Sequence, residues 1–146
     1  MIKAKMLTKS FGAIKAVDSV SFDVKRGEVL GFLGPNGAGK TTTMRLLAGF
    51  FEPDKGEVEI DGISMLSNPR TAKSRIGYLP ENAPVYRDMD VCGFLKFIAG
   101  IRGLGRKEAS KAIDRATAVC HLEKVFYQNI DTLSKGYIRR TSFAQA

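Results

Sequence analysis

The chain has 146 residues, of which 44% are hydrophobic and 26% charged, as in a globular protein that is long enough to bury a core. Its net charge is +8, but the Lys and Arg residues are scattered, which favours a solvated basic surface over a nucleic-acid interface. The longest apolar stretch, 91–101, is broken by Lys96 and is too short to cross a bilayer.

The first elements are predicted to be two β-strands, at 2–7 and 19–24. In the second, apolar residues alternate with polar ones, which is the pattern of a half-buried antiparallel strand. Phe11 lies between these strands, in a Ser-Phe-Gly turn. An aromatic side chain there either stacks on a nucleotide base or packs as an ordinary core residue, and the sequence favours neither.

A glycine-rich loop follows, and its sequence is Gly34-Pro35-Asn36-Gly37-Ala38-Gly39-Lys40-Thr41. It matches the phosphate-loop pattern GxxxxGK[ST]. The apolar run at 28–33 is predicted to be a buried strand, and 42–48 a helix that Gly49 closes. A strand before the loop and a helix after it is the context that this motif requires. The alternative interpretation, a glycine-rich turn that connects strand and helix but binds no phosphate, is therefore disfavoured.

The residue types of the loop explain how it would hold phosphate. Gly37 and Gly39 have no Cβ, so the backbone can turn sharply and approach an anion closely. Successive N–H groups and the positive end of the helix dipole then face that anion. Lys40 supplies a full positive charge for the outer phosphates. The Thr41 hydroxyl is placed to ligate Mg²⁺, and Thr42 to donate to an inner phosphate.

Three shorter elements are predicted downstream of this helix. Residues 57–60 alternate as an edge-type strand, and Pro69 stands at the first position of a helix. Residues 75–79 are predicted to form the next strand.

Two amphipathic helices are predicted in the second half of the chain, at 90–102 and 107–120, and both are interpreted as core packing. The first has either Asp88 or Asp90 as its N-cap. Cys120 and Cys92 have no metal-ligand spacing and are expected to be free core thiols of a cytosolic protein. The apolar faces consist of Val91, Phe94, Leu95, Ile98 and Ile101 in the first helix, and Ala109, Ile113, Ala116 and Cys120 in the second.

The last segment, 133–146, begins with a serine-glycine turn that opens a helix. The sequence then stops within the helical pattern, with no capping residue and no following strand. We therefore expect that a longer protein continues beyond Ala146.

Three stretches besides the phosphate loop carry a family resemblance. Phe11 precedes Gly34 by 23 residues, and the other two stretches are Tyr78-Leu79-Pro80-Glu81-Asn82 and Leu133-Ser134-Lys135-Gly136-Tyr137. In this order the sequence resembles the ATP-binding cassette of ABC transporters, with its adenine-stacking loop, Walker A loop, glutamine loop and signature motif. The amino-acid sequences of the last two stretches are most similar to those in cassettes of ABC-2 type exporters.

The resemblance implies an α/β fold, a P-loop NTPase cassette with an antiparallel β subdomain and a helical subdomain, its C-terminal part missing. The whole chain, 1–146, would be a partial nucleotide-binding domain. Its parts would be an ATP-binding core at 1–80, a helical subdomain at 81–132, and the signature motif with the start of its helix at 133–146. The Walker B aspartate and the catalytic glutamate of the family would lie beyond Ala146, so hydrolytic activity of this chain is left open.

The resemblance also implies roles for individual residues, with ATP and Mg²⁺ as the cofactors. Phe11 would stack on adenine with Val17 nearby, and Ser134 and Gly136 would contact the γ-phosphate of an ATP bound to an opposing subunit. Glu81 would occupy the position of the glutamine in the glutamine loop. It would act with Lys40 in catalysis and bind the same Mg²⁺ as Thr41. The nucleotide phosphates would be held by Gly34, Asn36, Gly37, Ala38, Gly39, Lys40, Thr41 and Thr42.

The implied function is that of an ATP-binding subunit that couples ATP binding and hydrolysis to export across a membrane. Its partners would be a transmembrane permease, met through 90–130, and a second cassette in a homodimer at the cytoplasmic face of the cell membrane. Nucleic acid is an unlikely partner. The alternative is a non-catalytic ATP- or partner-binding fragment. The sequence departs from the commonest family residues at three positions. It has Glu81 in place of Gln, Lys135 in place of Gly and Tyr137 in place of Gln.

Overall fold

The computed structural model describes residues 1–81 and 85–146. They form two compact units, Met1–Ile76 and Gly77–Ala146, each described here by itself. The first unit contains strands β1 (Ile2–Phe11), β2 (Ile14–Val24), β3 (Lys55–Ile60) and β4 (Ile63–Ser64) and helices α1 (Lys40–Leu47) and α2 (Pro69–Lys73). The second contains α3 (Val91–Ile101), α4 (Arg106–Val119) and α5 (Lys135–Ala144), with 3₁₀ turns at Glu123–Val125 and Ile130–Thr132.

The sheet of the first unit is antiparallel throughout and has the strand order β2-β1-β3-β4. The prediction that 57–60 form an edge strand is wrong, because β3 lies between β1 and β4. The chain reverses at Asp61 and Gly62, both with positive φ, and Ile63 then pairs with Ile60. The short β4, rather than β3, is therefore an edge of this sheet.

Strand β1 is longer than predicted because it continues past an irregularity near Met6. The φ of Met6 is 50°, and its N–H bonds the Ser21 hydroxyl at 2.8 Å. On the other strand, Ser19 has a φ of 49° and its N–H bonds the Thr8 hydroxyl at 3.1 Å. Side-chain oxygens thus replace ladder bonds that the irregular register removes, and the two strands stay paired on both sides of it.

One face of this sheet buries the core of the first unit. Leu7 and Leu46 are fully buried, and α1 carries Leu46 to the sheet. Val20 and Phe22 pack on the same core while the polar residues between them are exposed. The predicted half-buried alternation of the second strand is therefore confirmed.

Two predicted strands, at 28–33 and 75–79, do not form. Within the described part of the chain no strand pairs with either segment, and an extended segment gains its ladder hydrogen bonds only from such a partner. Val29 and Leu33 are consequently 95% and 97% exposed.

The second unit has a helical core in which Val91, Phe94 and Leu95 are buried, as predicted. Ile98 packs at its edge, but Ile101 is 66% exposed, so that part of the predicted face is wrong. Ile101 is the last residue of α3, and the chain turns back there through a bond from Leu104 N–H to the Ala99 carbonyl. The predicted face of α4 is confirmed: residue 113 and the C-cap residue 120 are buried, and 109 and 116 are partly buried.

Both cysteines are buried and free, as predicted. Burial raises the pKa of the Cys120 thiol, which disfavours the reactive thiolate there.

Asp90 is the N-cap of α3, which decides between the two residues that the sequence offered. Its carboxylate accepts a hydrogen bond from Gly93 N–H. We expect Asp90→Ala to lower the free energy of unfolding by about 1 kcal/mol, because this bond satisfies an N–H that the helix leaves unpaired. Asp88→Ala is the matched control, expected to change it by less than about 0.5 kcal/mol. Urea unfolding followed by circular dichroism measures both, and equal losses would contradict the assignment.

Candidate nucleotide-binding site

The phosphate loop ends at the start of α1, with Gly39 as the N-cap at a φ of 81°. Thr43 N–H bonds the Gly39 carbonyl at 2.8 Å, and the buried Thr43 hydroxyl donates to the same oxygen at 3.0 Å. This is the first bond of the helical ladder, so the N–H groups of residues 40–42 precede it and lie at the positive end of the helix dipole. The arrangement suits an anion.

Gly39 is required by its surroundings as well as by its backbone angle. A Cβ there would collide with the carbonyl of Ala16 on β2 and lie 3.5 Å from Val17 Cγ2. Val17 is itself buried in the core of the unit. The loop therefore rests directly on β2. Sequence reasoning singled out Val17 but missed Ala16, because a long-range backbone contact leaves no local pattern.

Lys40 folds across its own loop. Its Nζ donates to the carbonyls of Gly34 and Pro35 at 2.7 and 2.6 Å. Among the described residues it has no acidic partner. The ammonium group thus keeps an uncompensated positive charge beside the loop, where an anion can replace the two carbonyls.

The other predicted phosphate contacts are accessible. Gly34, Asn36, Gly37 and Ala38 are exposed, and Ala38 N–H bonds the Pro35 carbonyl at 3.3 Å, which closes the turn.

Thr41 is exposed and Thr42 partly buried in the first turn of α1. No group of three or more His, Cys, Asp or Glu side chains able to hold a metal ion occurs in the described part of the chain. A Thr hydroxyl oxygen is nevertheless a ligand that suits Mg²⁺, which usually keeps waters and phosphate oxygens as its other ligands. Thr41 fits such a site.

Phe11 is 44% exposed, so it is not a core residue. Its ring meets Phe51 edge to face, with centroids 5.4 Å apart, and Lys9 Nζ lies 5.9 Å from the ring centre. The structure thus places a supported aromatic ring on the surface of the unit that holds the phosphate loop.

In the second unit, Ser134 caps α5 as the predicted serine-glycine turn requires. Its hydroxyl accepts from Tyr137 N–H at 3.4 Å. A Cβ at Gly136 would make only ordinary van der Waals contact with the Ser134 hydroxyl oxygen, at 3.8 Å. Arg140 stacks on the Tyr137 ring at 4.4 Å. The exposed turn at 134–136 thus opens a second helix N-terminus.

Residues 17–146 match the model of the ABC transporter family. The chain belongs to this family. An uncharacterised ABC transporter ATP-binding protein of Methanocaldococcus jannaschii is 42% identical over 142 residues, which are 97% of the chain and 50% of the relative. A bacitracin transport ATP-binding protein of Bacillus licheniformis is 36% identical over 146 residues, 100% of the chain and 47% of the relative.

Solved structures agree with this assignment. An ATP-binding subunit of an ABC transporter matches with a TM-score of 0.86 and 28% identity, over 99% of the chain and 60% of that subunit. The dimeric structure of a bacterial ABC transporter cassette matches with a TM-score of 0.82 and 25% identity, over 99% of the chain and 68% of the cassette. The α/β P-loop cassette fold is therefore confirmed. The chain spans about half the length of the two curated relatives.

The phosphate loop lies in the first unit, and the serine turn that the sequence predicts to be the signature motif lies in the second. Glu81 also lies in the second unit and lines a cavity of about 370 Å³ with Arg87, Lys135 and Arg139. None of these four forms an ion pair with a described residue. Sequence reasoning missed both arginines. Asn82 lies outside the described residues, and a metal shared by Thr41 and Glu81 stays a prediction.

Within the described ranges, no helix is both long enough and apolar enough to span a membrane.

Proposed function

We propose that this chain is the nucleotide-binding part of an ABC exporter subunit, in which ATP binding and hydrolysis drive export through a separate transmembrane permease. The observation that carries the proposal is the geometry of the phosphate loop: the N–H groups of residues 40–42 precede the first bond of the α1 ladder, and the Lys40 ammonium donates to two carbonyls of the same loop. The Escherichia coli relative, a probable multidrug ABC transporter ATP-binding protein, is 35% identical over 99% of this chain, which covers 25% of that protein. A peptide export ATP-binding protein of Bacillus subtilis, 32% identical over 148 residues that include 100% of this chain and 60% of that protein, supports a role in export.

In this proposal the ammonium of Lys40 leaves the carbonyls of Gly34 and Pro35 and binds the outer phosphates. Its charge then stabilises the negative charge that the transferring phosphoryl group carries. The N–H groups of residues 40–42 hold the same oxygens without moving, because α1 fixes them. The hydroxyl of Thr41 would be one ligand of Mg²⁺, which when bound neutralises phosphate charge. Phe11 offers its exposed ring to the adenine.

We further propose a homodimer in which Ser134 and Gly136 of one cassette meet the γ-phosphate bound to the other. The exposed turn at 134–136 and the N-terminus of α5 support this, since both present donors to an anion. Glu81 would be a carboxylate ligand of the Mg²⁺ that Thr41 also binds. The helical surface at 90–130 would meet the permease at the cytoplasmic face of the membrane. The domain limits proposed are 1–80, 81–132 and 133–146.

A second candidate function is binding of nucleotide without turnover. The segment before the Walker A loop, 28–33, is not a strand, and its Val29 and Leu33 side chains are exposed. The loop is therefore held by β2 and α1 rather than by a strand that leads into it. Weak ATP binding with little hydrolysis is what this arrangement favours.

Calorimetric titration with ATP, ADP and AMP in the presence of Mg²⁺ tests the proposed site. We expect ATP and ADP to bind, and AMP to bind at least about tenfold more weakly because it lacks the phosphates that Lys40 and residues 40–42 contact. Equal affinity for all three would refute a Walker A site. Release of phosphate from ATP, measured in the same samples, distinguishes the hydrolytic candidate from the binding one.

A further inference from the structure

A groove of about 310 Å³ lies on α4 and the turn after it, in the second unit. None of its residues belongs to the Walker A loop or the signature motif. The residues that line it are Asp114, Thr117, Ala118, Glu123, Phe126 and Tyr127.

Thr117 lines this groove, and its buried hydroxyl has no partner among the described residues. The residue is only 9% exposed, and its Oγ1 makes no hydrogen bond to any described residue. A helical Thr usually bonds the carbonyl one turn back, as Thr141 does to the Tyr137 carbonyl at 2.9 Å. Because a buried hydroxyl without a partner is unfavourable, this group points to a ligand that supplies one.

The charge of the groove is opposite to that of the protein. Its lining includes two carboxylates, Asp114 and Glu123, and no Lys, Arg or His, whereas the whole chain carries +8. Both carboxylates are exposed, and neither forms an ion pair within the described residues. Although Lys96 and Arg106 line an adjoining cavity that Asp114 shares, carboxylates without an ion-pair partner on a concave surface attract cations.

Aromatic rings complete the surface. Phe126 and Tyr127 meet edge to face, with centroids 4.9 Å apart. Tyr127 is 80% exposed, so a face of its ring is open to a ligand. The faces of such rings attract cations and also cover apolar stems.

We propose that this groove binds a primary ammonium group carried on a short apolar stem. Asp114 and Glu123 neutralise its charge, the Thr117 hydroxyl accepts one of its three N–H donors, and Tyr127 covers the stem. A hydrated metal ion would make no use of the aromatic rings, and a neutral ligand would leave the carboxylates unpaired. A lysine side chain of a partner protein and a free polyamine both carry this chemistry. The site is independent of the proposed nucleotide site.

The test is a titration of the ¹⁵N-labelled 146-residue chain with N-acetyl-lysinamide, followed by NMR. We expect saturable shifts of the amide signals of residues 114–127. N-acetylnorleucinamide, which has the stem without the ammonium group, is expected to cause none. The double variant Asp114→Asn/Glu123→Gln should raise Kd at least about tenfold, and Asp88→Asn, the same change elsewhere in the unit, should not. Shifts of the same size with norleucinamide, or an unchanged Kd in the double variant, would overturn the proposal.

Two further arms make the result specific. Thr117→Val keeps the shape of the side chain and should raise Kd about threefold. If this variant were more stable and its Kd unchanged, the hydroxyl would not be a contact of the ligand. Spermidine replaces N-acetyl-lysinamide in the last arm. Spermidine affinity more than about tenfold higher assigns the site to a free polyamine, whereas comparable affinities assign it to a lysine side chain. Circular dichroism of each variant confirms that it is folded.

Discussion

Replacing Gly39 by alanine is expected to lower the free energy of unfolding by at least about 3 kcal/mol and to abolish nucleotide binding. Two effects add: the φ of 81° is strained for any residue with a Cβ, and the new methyl group collides with the carbonyl of Ala16. The backbone of β2 cannot move aside without disturbing Val17, which is buried beside it. Because small domains are stable by only about 5–15 kcal/mol, the loss is large.

Gly37 provides the matched control for this substitution. Its φ is 84°, close to that of Gly39, but a Cβ there would have nothing within 4 Å. Gly37→Ala should therefore show only the backbone cost, about 1 kcal/mol. Urea unfolding followed by circular dichroism gives both values at once. If the two variants lost the same stability, the contact with Ala16 would have no energetic role and the description of the loop as seated on β2 would fail.

Lys40→Ala is expected to weaken binding of Mg²⁺-ATP about 10- to 100-fold while leaving the protein folded. Its ammonium donates only to two exposed loop carbonyls in this structure, so its removal should change the free energy of unfolding by less than about 0.5 kcal/mol. A charge-assisted hydrogen bond to phosphate is worth about 1.5–3 kcal/mol, which gives the expected range of affinities. Calorimetric titration measures the affinity and urea unfolding the stability.

Lys55→Ala removes the same charge from the same unit at the exposed start of β3. Its affinity for Mg²⁺-ATP should equal that of the unchanged chain. A comparable loss in both variants would mean that the overall charge of +8, rather than the position of Lys40, attracts the nucleotide. The Walker A assignment of this lysine would then lose its support.

The sequence was most informative where a structure is encoded within a few residues. Spacing and local hydrogen-bonding chemistry predicted the apolar faces of α3 and α4, the serine turn before α5 and, as one of two candidates, the N-cap of α3. At the phosphate loop, the helix after it was predicted correctly and the strand before it was not. Prediction failed at Ile101, where the periodicity runs to the end of the helix but the packing does not. Periodicity reports which side of a helix is apolar, not how far a neighbour extends along it.

The remaining differences concern interactions between distant parts of the chain. Residues 28–33 have the composition of a buried strand, but a strand forms only beside a partner, and the composition does not say whether one is present. The contact of Gly39 with Ala16 brings together residues from a loop and from β2, and no local sequence pattern predicts it. The same is true of Arg139 and Glu81 at one cavity, and of the partnerless hydroxyl of Thr117.

The exposed segment at 28–33 has a consequence for how the protein behaves at high concentration. Exposed apolar side chains at Val29 and Leu33, on a segment that pairs with no described strand, are a site where strands of two molecules can pair. At low ionic strength, the mutual repulsion of chains carrying +8 opposes such contacts. Salt screens this repulsion over a Debye length of about 8 Å at 0.15 M. We therefore expect added salt to promote association of the chains through Val29 and Leu33, whereas Phe32 of the same segment meets the Phe22 ring edge to face, with centroids 5.1 Å apart.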